Sequence, residues 1–112
     1  MSRRTQKVEE LLREELSQLI QEKLADKIGL ATITRVLVSP DFKLAKIYIA
    51  LMDPSHAEHA LKQLEMSRKN FQNALGRKLS LRYTPKIQFQ VDDGMNEIDR
   101  VEELLEKIKD GN

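Results

Sequence analysis

The chain contains no cysteine and no tryptophan. Disulfides, thiolate nucleophiles and sulfur-ligated metals are therefore excluded, and the composition fits a reducing compartment. No apolar run approaches the ~18 residues of a membrane-spanning helix. The charged N-terminus lacks the apolar core of a signal peptide. A soluble cytoplasmic protein is expected, or an organellar one in a eukaryotic source. The aromatics are only Phe42, Phe71, Phe89, Tyr48 and Tyr83. Capture of single-stranded nucleic acid by stacking needs exposed aromatic faces, which here only a tyrosine would supply.

What is present is charge, unevenly spread. The formal net charge of the 112 residues is +1. Between Lys62 and Val91, however, the bases Lys62, Arg68, Lys69, Arg77, Lys78, Arg82 and Lys86 face the single acid Glu65. From Asp92 onward the balance inverts, with eight acids and three bases. A basic body with an acidic tail is a pattern that often marks a polyanion-binding surface. The length suits one domain able to bury a single core without a staple. The division expected is a globular part over residues 1–93 and an acidic helical tail over 94–112.

Val8, Leu11, Leu12, Leu16, Leu19, Ile20 and Leu24 draw one apolar stripe over a helix from Arg4 to Ala25, stopped by Gly29. Arg3, Arg4 and Lys7 stand where cations oppose the helix dipole, either as tolerated surface charge or as phosphate ligands. Ala31 to Ser39 is β-branched and reads as a strand, with Thr34, Val36 and Val38 on one side and Ile33 and Leu37 on the other. After the turn Ser39-Pro40-Asp41, the run Leu44 to Met52 alternates cleanly, with Ala45, Ile47, Ile49 and Leu51 inward. The two strands predict an antiparallel hairpin. Asp53 or Ser55 caps the next helix. Its stripe of Ala57, Ala60, Leu61 and Leu64 is out of phase with Phe71, Ala74, Leu75 and Leu79, which predicts two helices with a kink across Met66 to Asn70. Thr84-Pro85 ends the helical region. A third strand places Ile87, Phe89 and Val91 inward, and Ile98, Val101, Leu104, Leu105 and Ile108 suggest a tail helix. A three-stranded sheet with helices packed on one face follows, an α+β fold in the order helix, strand, strand, helix, kinked helix, strand.

Several ordered segments carry a resemblance: Val36-Leu37-Val38-Ser39-Pro40-Asp41, Ala45-Lys46-Ile47-Tyr48, and Leu75-Gly76-Arg77-Lys78-Leu79-Ser80-Leu81-Arg82-Tyr83-Thr84-Pro85 with Ile87 and Phe89 beyond it. Together with Glu14-Glu15-Leu16 they resemble the ribosome-binding factor A family, over nearly the whole chain. The resemblance implies a type II KH-like fold without the Gly-x-x-Gly loop that clamps nucleotides in true KH domains. None of the four glycines here are three apart. It also implies an assembly factor that binds the small (30S) ribosomal subunit and its 16S rRNA in late maturation, a role tied to rRNA processing and cold adaptation. The family's small-x-Gly kink aligns with Ser67-Arg68-Lys69, where lysine replaces the glycine. A common family arginine appears as Gln72, so that contact is not carried over.

Clustered Lys and Arg suit phosphates, against the plainer reading of a solvated charged face. The expected RNA-binding set is Arg3, Arg4, Lys7, Lys43, Lys46, Arg68, Lys69, Arg77, Lys78, Arg82 and Lys86, although Arg82 could instead pair with Asp92 or Asp93. His56 and His59 have a spacing compatible with zinc, but no third strong ligand is recognisable. No Ser-His-Asp set or phosphate loop appears. No enzyme, cofactor, metal or small-molecule substrate is expected, and a monomer is. The alternative is a basic module for an acidic protein partner. The acidic tail is either a packing helix or a competitor for the basic surface.

Overall fold

The computed structural model describes residues 3–81 and 83–92. Arg82, Asp93 and the acidic tail expected over residues 94–112 lie outside the described residues. Helix α1 (Arg3–Ile28) is followed by strands β1 (Ala31–Val38) and β2 (Leu44–Leu51), helix α2 (Ala57–Leu79) and strand β3 (Lys86–Val91). The sheet order is β1-β2-β3, antiparallel between β1 and β2 and parallel between β2 and β3. The parallel pair is joined through α2, as parallel strands require a crossover. Both helices pack on one sheet face, α1 over β1 and α2 over β3, and they also pack on each other. No helix among the described residues is long and apolar enough to cross a membrane.

Leu12, Leu16, Ile20 and Leu24 of α1 close the core from one side. The helix ends where Gly29 turns left-handed (φ 73°), a conformation that costs glycine nothing. Glu9 and Arg13, one turn apart, reach the free edge of β1. The Glu9 carboxylate accepts from the Val38 amide at 2.9 Å, and Arg13 donates to the Thr34 carbonyl at 3.2 Å. An edge strand that would otherwise present bare backbone is thereby covered.

The mixed faces of β1 have a structural cause. The register slips between Ile33, opposite Ile49, and Arg35, opposite Tyr48. Thr34 is the extra residue of this bulge. One residue out of step lets Ile33, Val36 and Val38 all turn inward. The Thr34 hydroxyl is held by the Tyr48 carbonyl and by the Asp92 carboxylate at 3.0 Å. It ties the bulge to the end of β3.

The kinked pair of helices predicted from the sequence is instead one unbroken α2. Its buried residues are Ala60, Leu64, Phe71 and Leu75. Their spacings of four, seven and four keep a single helical stripe in phase. Leu61 and Leu79, 18 residues or five full turns apart, project the same way and are half-buried at the edge of that stripe, so at 3.6 residues per turn the two expected stripes fall on one face. Ser67-Arg68-Lys69 contains no glycine or proline to break the hydrogen-bond ladder. Asp53 accepts from the Ser55 amide at 3.1 Å and caps the short 3₁₀ turn Pro54–His56 that leads into α2. Ser80, left-handed at φ 48°, ends it.

Gln72, on the side of α2 that faces β3, fixes the return of the chain. Its amide donates to the Pro85 carbonyl at 2.5 Å, and its oxygen accepts from the Ile87 amide at 3.0 Å. The Gln72→Leu variant should lose about 1–3 kcal/mol, the cost of leaving two partly buried backbone groups unmet. Urea denaturation with an unchanged m-value measures it, and a loss below ~0.5 kcal/mol, the range of neutral surface changes, would refute the clamp. At the β1–β2 turn, Asp41 accepts from the Ser39 hydroxyl at 2.6 Å and from the Lys43 amide at 3.1 Å. These bonds, the hydroxyl's first, hold its carboxyl below the ordinary 3.8. Stability from this group is present above that unfolded value and lost as pH falls through the lower folded one. The Lys43 amide resonance should therefore titrate with a midpoint under 3.8; a midpoint at or above it would contradict the turn geometry.

Candidate nucleic-acid interface

Once α2 is a single helix with one buried stripe, the direction of each of its cations is set. Arg68 and Arg77 are nine residues apart, about two and a half turns, and so lie on opposite flanks. Arg68 faces β3 and Arg77 faces α1. Lys69 is exposed on the outward side. The single basic face anticipated for these residues is split in two by the helix itself.

On the β3 side, Arg68 and Lys86 line a shallow hollow of about 360 Å³ with Leu44, Glu65, Ile87 and Gln88. The Lys86 amide donates to the Lys43 carbonyl at 2.9 Å, so Lys43 adjoins the same entry to the sheet. Arg68 is not free there: its Nε stands 3.3 Å from a Glu65 oxygen, an ion pair without hydrogen-bond geometry. Lys46 and Lys86 point away from the helices, on the sheet face that also bears Gln88 and Gln90. Arg35, opposite Tyr48, lies on this face too. Sequence reasoning did not single out Arg35, although its alternation with the inward Val36 and Val38 already puts it on this outer side.

Arg3, Arg4 and Lys7 are exposed in the first two turns of α1, beside Gln6 and Glu10. The bond from Glu9 to Val38 brings these turns beside the β1–β2 connection that carries Lys43. Lys78 reaches across to α1 and pairs with Glu15 at 3.1 Å.

The helix–helix side holds residues the sequence did not single out. A groove of about 510 Å³ runs between the antiparallel α1 and α2, and Lys23, Lys27 and Arg77 line it with Ser67, Asn70 and Asn73. Lys23 and Lys27 stand among Glu22 and Asp26 in sequence, so local charge counting gives no signal. The available clue was their one-turn spacing on the flank of the stripe that contains Leu24.

Tyr83 is 72% exposed. His56 pairs with Asp53 at 3.3 Å on the surface. Among the described residues no three His, Cys, Asp or Glu side chains gather as metal ligands. The arrangement offers spaced positive charge on rigid elements, which suits anion binding.

Residues 4–105 match the family model of ribosome-binding factor A. The crystal structure of ribosome-binding factor A from Thermus thermophilus is similar with a TM-score of 0.71 at 24% identity, over 78% of this chain and 94% of that one. A homology model of the Thermus thermophilus factor, fitted into a cryo-electron microscopy map of a 30S–RbfA complex, gives 0.64 at 24% identity, over 75% and 90%. The solution structure of a putative ribosome-binding factor A from Thermotoga maritima gives 0.59 at 27%, over 80% and 84%. These likenesses agree with an α+β, KH-like fold. With the greater part of its length matched, the chain belongs to the ribosome-binding factor A family.

Proposed function

We propose that the protein is an assembly factor that binds the immature small ribosomal subunit and its 16S rRNA during late maturation. It acts by binding rather than by catalysis. The observation that carries this reading is the basic entry to the sheet, where Lys43 and Lys86 are joined through their backbones and Lys86 borders one hollow with Arg68, beside the cationic start of α1. Family membership supports it, as does the relative fitted to a 30S subunit. Lys and Arg neutralise phosphates and fix register, while the shape of the rigid fold selects one arrangement of RNA. Arg3, Arg4, Lys7 and Lys46 extend this surface, Lys69, Arg77 and Lys78 add positive charge on the outward and α1-facing sides of α2, and the factor works as a monomer.

The Lys43→Glu, Lys86→Glu double variant should fold normally by circular dichroism, since both side chains are exposed. It should co-sediment with immature small subunits at least about tenfold more weakly, from two lost phosphate contacts and added repulsion. Undiminished co-sedimentation would remove this surface from the interface. A salt dependence close to flat for the wild-type protein would instead favour an acidic protein partner.

A further inference from the structure

We infer that the groove between α1 and α2 is a second RNA contact, holding a stretch of sugar-phosphate backbone on Lys23, Lys27 and Arg77. The inference rests on the reading above, but on a different flank of α2. Lys23 and Lys27 are one turn apart, about 6 Å along the axis, a spacing comparable to that of successive phosphates on a strand. Arg77 stands on the opposite wall. None of the three enters an ion pair among the described residues, whereas Arg68 and Lys78 each face a carboxylate. No acid lines the groove. Ser67, Asn70 and Asn73 add a hydroxyl and two amides, which can donate to phosphate oxygens or meet ribose hydroxyls.

The same lining argues against an acidic protein segment. Protein partners anchor through apolar or aromatic side chains sunk in pockets, and lysine is depleted where they bind. Here the apolar floor is already used: Leu24 and Phe71 are 1% and 3% exposed, packed into the core. Little apolar surface remains for a peptide anchor. A phosphate chain needs only point charges and donors, which is what the walls provide.

The test is a Lys23→Gln, Lys27→Gln double variant, with Arg77→Gln alone as a second and Lys62→Gln as the control outside the groove. Glutamine keeps helix propensity, and thermal melts check the fold. Affinity for an oligouridylate and for an RNA hairpin is measured against salt. Loss of two contacts should lower the slope of log K on log salt by about 1.4 for the single strand or about 1.8 for the duplex. Arg77→Gln should lower it by about half as much, and Lys62→Gln should leave it unchanged. Parallel salt lines for wild type and both groove variants would overturn the inference. So would loss of polyglutamate binding with unchanged RNA slopes, which would place an acidic polypeptide there. Failure of the wild-type protein to sediment with small subunits would strike the proposed function instead, because the groove is judged on the RNA slopes alone.

Discussion

One stripe on α2 governs the placement of charge on this molecule. Ala60, Leu64, Phe71 and Leu75 must face the sheet, because leaving Leu64 or Leu75 in water would forfeit about 1.5–3 kcal/mol each. That demand fixes the helix azimuth, and with it the direction of Arg68, Lys69 and Arg77. The edge-to-face contact of Phe71 with Phe89, ring centroids 6.4 Å apart, ties the same stripe to β3. Gln72, one residue on, holds the start of that strand. The basic entry to the sheet and the helix–helix groove are thus two consequences of one packing constraint.

The parts legible from sequence were those where burial obeys a simple period. The α1 stripe, the alternation of β2 and β3, the hairpin and the Asp53 cap all follow local rules. The bulge at Thr34 did not, since its inserted residue breaks the period of two that the reading depends on. Its ties to the Tyr48 carbonyl and Asp92 are made across the sheet, and no local pattern announces them. The continuity of α2 is legible in the sequence once the exact period is applied, because Leu61 and Leu79, five full turns apart, share one face with Leu64 and Leu75. Lys23 and Lys27 were passed over for a third reason. They meet Arg77 only after two helices pack, some fifty residues apart in the chain.

The two described ion pairs within the basic set qualify how much each cation offers a polyanion. Arg68 is about a third exposed beside Glu65, and Lys78 more than half exposed beside Glu15. Pairs this wet are worth at most about 1 kcal/mol and weaken with salt. They do not cancel a phosphate contact, but a phosphate must displace a carboxylate to make one. Cations without such a partner among the described residues, Lys43, Lys86, Lys23, Lys27 and Arg77, start from a better position. The strength of the surface therefore does not follow a simple count of bases.

Rigidity matters as much as charge. The cations project from helices and strands held by a close-packed core, so binding orders side chains but little backbone, and the entropic cost falls. A rigid array also discriminates: it meets all its phosphates only where the RNA presents them at matching positions. An RNA that changes shape as the subunit matures would keep some contacts and lose others. Because a ligand shifts an equilibrium only through its differential affinity for two states, departure on the proposed reading would need no catalytic step. Loss of register along one flank of α2 would remove several screened contacts together. On the proposed reading each such contact carries roughly a unit of salt slope, so their joint loss would weaken the complex and make it less sensitive to salt.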